Sequence, residues 1–210
     1  MHHVKCRHFA SGPPWLRSMS PTRFDGLSDG AVKCVQLIRS VGIPPVGLQL
    51  VALCYLAGLV EGQATFDLVE FFAGQQSICR GFRARGLRAY AFERDLKPIS
   101  DDIMSAAGLL HALSLVLRVR GGGVVWFGVV CSSWVWISRS STQRSEVRPM
   151  GRDSANNANA NAMVSRVMLL LRIANARAIM TVLEQPTSSL MPSHPRFQQV
   201  LRDVRIFRTR

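Results

Sequence analysis

The run TFDLVEFFAG at residues 65–74 decides the fold. It is too continuously apolar for a strand with one wet face. It closes on Gly74, as a strand buried in a parallel sheet does when the chain must turn at once into a helix. Working outward, helical spacing over residues 77–85 stops at Gly86, and LRAYAFERD at 87–95 reads as a second strand closing on Glu93 and Asp95. Ser100 is expected to cap the next helix with Asp101 and Asp102 in its first turn, Ile103, Ala106, Leu110, Leu113 and Leu117 along one face, and Gly121, Gly122 and Gly123 at its end. VVWFGVVC at 124–131 is a third strand, followed by a serine- and arginine-rich loop over 132–153 that is long for a compact domain. Asp153 or Ser154 then begins a helix with Met163, Val167, Leu170, Leu171 and Ala174 at helical spacing, its NNANANA start expected to fray. AIMTVLEQP at 178–186 is a fourth strand, and RFQQVLRDV at 196–204 a last helix. Such alternation predicts an α/β fold, a Rossmann-like, mostly parallel sheet with helices on both faces, incomplete at its C-terminal side.

The chain has 210 residues, 48% of them hydrophobic, enough to bury a core. We divide it into a leader of uncertain structure over 1–61 and a partial α/β domain over 62–210. The leader carries one expected helix at 31–39 and an apolar stretch at 46–60. That stretch has 15 uncharged residues where a membrane span needs roughly 20, so it reads as a buried helix and no membrane association is expected. The first 24 residues are basic and serine-rich, which fits a disordered leader or, less directly, an organelle transit peptide. The five cysteines form no CxxC pair and no zinc spacing, so neither a metal nor a disulfide framework is expected, and an intracellular, reducing compartment fits, the nucleus included. With 26 Lys and Arg against 13 Asp and Glu, the net charge of +13 favours an anionic partner such as nucleic acid.

In an open parallel sheet, ligands bind beyond the carboxyl ends of the strands. There the chain delivers EFFAGQQS, then Glu93, then Cys131, then Glu184. Gly74 allows a tight strand-to-helix turn, and Glu93 follows it at about the 20-residue spacing of a carboxylate that grips ribose hydroxyls. Gln75 and Gln76 stand where phosphate-binding glycines would be, so a nucleoside cofactor without phosphate, S-adenosylmethionine, is the candidate.

These residues carry a resemblance. LVEFFAG is similar to the first motif of the S-adenosylmethionine-dependent methyltransferases that include the DNA cytosine-5 enzymes, AFERD to their second, VCSSW to their Pro-Pro-Cys-Gln loop and VLEQP to their Glu-Asn-Val motif. The order agrees from residue 65 to 197. The resemblance implies that Phe72, Ala73 and Gly74 border the methionine part of the cofactor, that Glu93 holds its ribose and Asp102 its adenine. It also implies that Cys131 is the nucleophile on a cytosine flipped out of its duplex, with Glu184 on ring nitrogen three. Val129 and Val130 replace the prolines, Ser132 the glutamine, and Gln185 and Pro186 the Asn-Val pair. The family's later strands and target-recognition region have no counterpart here, so a truncated or degenerate form is expected.

Arg139, Arg144, Arg148 and Arg152 in the long loop are candidates for phosphate contact, with a solvated basic surface as the alternative. Trp134 is the candidate for stacking a flipped base, whereas Trp126 is expected in the core. His111 and His194 are read as structural. Two other functions stay open: a catalytically inactive nucleic-acid-binding remnant, and a methyltransferase for RNA or a small molecule. The oligomeric state is not legible.

Overall fold

The computed structural model describes residues 64–203. The leader, with the expected helix at 31–39 and the apolar stretch at 46–60, lies outside the described residues. In chain order the elements are β1 (Phe66–Phe71), α1 (Ser77–Arg83), β2 (Ala89–Phe92), α2 (Ala106–Leu117), β3 (Val119–Phe127), a single helical turn (Trp136–Ser138), α3 (Arg139–Thr142), α4 (Ala155–Ala176), β4 (Met180–Leu183) and α5 (Pro195–Asp203). The four strands form one all-parallel sheet in the order β2-β1-β3-β4. This is the α/β, Rossmann-like arrangement that the alternation of strands and helices implies.

Strand β1 is central, and its side chains alternate between two apolar layers, as a pleated strand requires. Val69 and Phe71 join Phe92, Val125 and Phe127 in the larger layer, under α2 and α4. Phe71 stacks on Phe127 with ring centroids 5.1 Å apart and leans on Phe92 at 5.0 Å. Leu68 points the other way, into a smaller layer with Ala73, Cys79 and Ala91, against which Ile78 and Phe82 of the α1 segment pack. Trp126 of β3 lies half-buried against this smaller layer.

Three local expectations are corrected. Helix α2 starts later than proposed: Ser105, not Ser100, is its cap, with extended backbone and an Oγ that accepts from Gly108 N at 2.8 Å. Asp101 and Asp102 therefore precede the helix. The glycines at 121–123 do not end α2 but lie within β3. A side chain at Gly123 would meet the Asp67 backbone oxygen at 3.0 Å, so that strand pair needs a residue without one. The asparagine-rich start of α4 is fixed rather than frayed: Asn157 is buried, and its Nδ2 donates to Thr142 O at 2.9 Å and Arg152 O at 2.8 Å. Ser154 caps this helix as expected. Among the described residues no helix is long and apolar enough to cross a membrane, and no cluster of His, Cys, Asp and Glu could hold a metal ion.

At the amino end of β1 a buried carboxylate ties three segments together. Asp67 accepts from Arg88 N at 2.7 Å and from the Arg120 side chain, and Arg88 Nε lies 3.6 Å away. The Arg88 amide first and the Arg120 guanidinium second hold its carboxyl below the usual 3.8. A lowered folded-state value means that this stabilisation is complete above 3.8 and is lost as the pH falls below it, through the folded-state value. Asp67→Asn should lower the melting temperature at pH 7 by several degrees and flatten its fall below pH 3.8, read by circular dichroism in a pH series. An unchanged acid limb would remove Asp67 from that role.

Candidate functional site

Every strand opens onto the same edge of the sheet, because all are parallel, and the loops leaving those ends enclose two adjoining clefts. The first, about 280 Å³, is lined by Phe72, Phe92, Glu93, Asp102, Ile103 and Met104 among others. The second, about 760 Å³, holds Cys131 and Glu184 with Glu70, Ala73, Trp126 and Pro186. Phe72, Gly128 and Val130 border both, so they form the wall between them.

The first cleft is organised by Glu93, directly after β2. Its Oε2 accepts from Gly74 N at 2.9 Å and its Oε1 from Asp95 N at 3.1 Å, so the carboxylate is fixed at the rim by two backbone donors. Gly74, in the left-handed region with φ +45°, lines neither cleft itself and acts through this bond. Asp102 also lines this cleft, half-buried on another wall segment, its Oδ1 accepting from Met104 N at 2.8 Å. That wall rests on Gly108 of α2: a Cβ there would lie 1.9 Å from Asp102 O, so only glycine lets the helix nest against the turn. Carboxylates at the rim and apolar surface from Phe72, Phe92, Ile103 and Met104 between them suit a nucleoside, whose hydroxyls donate and whose base is flat and apolar on its faces.

In the second cleft, β3 ends at Phe127, so Cys131 reaches the rim on the following loop rather than on the strand. Its carbonyl accepts from Trp134 N at 2.8 Å and Val135 N at 3.2 Å, which closes a turn around it. Glu184 follows β4 directly, and its N–H donates to Phe127 O at 2.9 Å. Gln185, one residue on, donates from Nε2 to Val129 O at 2.7 Å and thereby joins the Glu184 segment to the Cys131 segment. Cys131 is half-exposed, whereas the other described cysteine, Cys79, is buried, and burial followed by its contact with Glu70 pushes its thiol up to about 12. Of the two, only Cys131 can present sulfur to a ligand. Glu70, which heads the EFFAGQQS segment but received no role of its own from the sequence, is buried at the floor of this cleft and accepts from Cys79 N at 2.7 Å, fixing the start of α1. A carboxylate interrupting an apolar strand was the signal that could have found it.

Two candidates on the long loop are corrected. Arg144 is not at the surface: only 2% exposed, its guanidinium lies 3.6 Å over the Trp134 ring and donates to Ser133 Oγ, Pro149 O and Asn161 Oδ1. Burial lowers its pKa to about 10. It organises the loop and has no donors turned to phosphate. Trp134 is 1% exposed, its ring covered by Arg144 and His194 and so closed to a flipped base. Arg148 and Arg152 are exposed and Arg139 half-buried, so the cationic surface of this loop belongs to them. His194 is buried as well. Its Nδ1 accepts from Arg196 N at 3.1 Å, which places the proton on Nε2, and Nε2 has no partner. His111, read as structural, pairs with buried Asp101 at 3.1 Å, and the Tyr90 hydroxyl also meets that carboxylate at 3.2 Å.

Comparison with known proteins finds no family model, no curated protein and no solved structure that matches this chain.

Gly108→Ala should lower the melting temperature and weaken any ligand of the first cleft, because Asp102 must move; calorimetry on the folded variant checks it, and unchanged ligand affinity would contradict the nesting argument. His194 gives a pH test. Burial first, then Arg144 and Arg196, lowers its value from 6.5 to about 4. The unfolded chain then binds more protons than the folded one between those values, so stability falls as pH drops from 6.5 toward 4. The loss amounts to on the order of 3 kcal/mol, and His194→Gln should remove most of that slope in urea unfolding curves.

Proposed function

We propose that this domain is an S-adenosylmethionine-dependent methyltransferase acting on nucleic acid, with chemistry of the cytosine-5 type. The observation that carries the reading is the pair of clefts. A thiol and a carboxyl group, Cys131 and Glu184, line one; a carboxylate at ribose-binding spacing, Glu93, lines the other; and the two share the wall of Phe72, Gly128 and Val130. A two-substrate transfer needs such a plan, with donor and acceptor held apart except at one shared boundary.

In this reading Glu93 holds the ribose hydroxyls, Asp102 receives the adenine amine, and Phe72 and Ala73 border the methionine part. When bound, S-adenosylmethionine supplies an electrophilic sulfonium methyl. The Cys131 thiolate adds to ring position six of the base and makes position five nucleophilic. The Glu184 carboxyl group hydrogen-bonds ring nitrogen three and stabilises the charge that develops there. Methyl transfer to position five would release S-adenosylhomocysteine, and loss of the proton from that carbon to a water molecule would then expel the thiolate and restore both ring and enzyme. Arg148, Arg152 and Arg139 supply positive charge on the loop that leads away from Cys131.

Isothermal calorimetry with S-adenosylmethionine tests the first cleft. Glu93→Ala should weaken binding by roughly tenfold or more, as loss of a charged hydrogen-bonding partner does. Cys131→Ser should leave cofactor affinity within about twofold and abolish transfer of a radiolabelled methyl group to a cytosine-containing oligonucleotide. Absence of cofactor binding by the folded wild-type chain would end the proposal, and transfer retained by Cys131→Ser would end the covalent route.

A further inference from the structure

The helical turn that follows Cys131 exposes two large apolar side chains, Trp136 at 68% and Ile137 at 83%. Their backbone is held on both sides. Ser138 Oγ donates to Val135 O at 2.8 Å, Thr142 Oγ1 donates to Ser138 O at 2.8 Å, and Leu190 N donates to Trp134 O at 2.9 Å. Beneath, Trp134 is fixed under the Arg144 guanidinium. The loop thus spends one tryptophan and one arginine on its own order and presents a second tryptophan to solvent from a rigid base. Arg148 and Arg152 are exposed on the same loop, and among the described residues neither side chain takes part in an ion pair. A chain of net charge +13 adds a general attraction for polyanions.

A preordered aromatic face on a loop that also carries exposed, unpaired guanidinium groups matches unpaired bases on a phosphate chain, since any base offers a flat face for stacking once it is out of a duplex. In a duplex those faces are covered by neighbouring pairs. We propose that the 131–153 connection binds a single-stranded stretch of nucleic acid, Trp136 stacking on a base and Arg148 and Arg152 contacting the phosphates. This rests on the nucleic-acid substrate proposed above and narrows it to an unpaired strand, which the Cys131 cleft would meet without first opening a helix.

Fluorescence anisotropy with a fluorescein-labelled mixed-sequence oligonucleotide, alone or annealed to its complement, tests this on the full chain without cofactor. The single strand should bind more tightly than the duplex. Trp136→Ala should weaken it by about 5- to 100-fold, with duplex binding unchanged, and Trp136→Phe should restore most of the loss. The double substitution Arg148→Ala with Arg152→Ala should reduce the slope of log affinity against log salt by about 1.4. A Trp136→Ala effect within twofold, an equal loss on duplex and single strand, or a preference for duplex would overturn the proposal and leave Trp136 to a protein partner. The two readings fail separately. A chain that binds the strand through Trp136 but no S-adenosylmethionine keeps this surface and loses the methyltransferase; a chain that binds the cofactor with Trp136 indifferent loses this surface alone.

Discussion

Everything at the rim depends on the parallel register of β1 between β2 and β3. That register pairs Phe71 with Phe92 on one side and with Phe127 on the other, and it ends all three strands at one level. The ladder then continues past the strands: Gly128 N donates to Phe71 O at 3.0 Å, Phe72 N to Phe92 O at 3.0 Å, and Glu184 N to Phe127 O at 2.9 Å. Phe72, Glu93, Gly128, Val130 and Glu184 are thus each within a few positions of a backbone bond that belongs to the sheet, whereas the Asp102 wall is carried by α2. The amino end of β1 is secured separately, through Asp67 on Arg88 and Arg120, so a slip of register would have to strip a buried carboxylate of its partners as well as break the ladder.

The long loop illustrates how a polar segment can be ordered without becoming a strand or a long helix. Arg144 reaches inward and satisfies Ser133, Pro149 and Asn161 from a single guanidinium, while Asn157 takes the carbonyls of Thr142 and Arg152. Planar groups with several fixed donors suit this task because one side chain can bridge chain segments that have no ladder between them. His194 closes the arrangement from the α5 side, neutral because two arginines and burial disfavour its charge. The Cys131 segment is therefore supported from α4, from the loop and from the turn before α5, although it belongs to no regular element.

The sheet was legible because its strands are apolar runs bounded by turns, a signal that survives in a single sequence. Glu93 and Glu184 were legible for the same reason: each follows its strand directly, so placing the strand places the side chain. Cys131 was placed on the strand end yet lies beyond it, since Val129 and Val130 continue the apolar run after the ladder has stopped. Ser105 was passed over for Ser100 because both precede helical spacing, and only the extended backbone at Ser105 and the fit of Gly108 against Asp102 O separate them. Arg144 and Trp134 were misjudged together. In sequence each is a surface-type residue in a polar loop, and their burial follows from contact with each other, which no local pattern encodes.

The wall between the clefts shows how closely conformation and charge are joined here. Phe72 adopts a left-handed backbone with φ +59°, a conformation that costs a side-chain-bearing residue about 1–2 kcal/mol. What offsets that cost is local: its N–H donates to Phe92 O, and its ring packs on the larger apolar layer. Phe92 is also the residue before Glu93, and Glu93 in turn accepts from Gly74, two residues after Phe72. The end of β2 therefore both holds the strained turn, through Phe92 O, and is held by it, through the bond from Gly74 N to Glu93. Because Phe72 is the common boundary, the relative position of the two clefts is a property of the β1–β2 pairing rather than of the side chains that line them. A substitution that altered the lining alone would change what each cleft accepts and leave unchanged where the two meet.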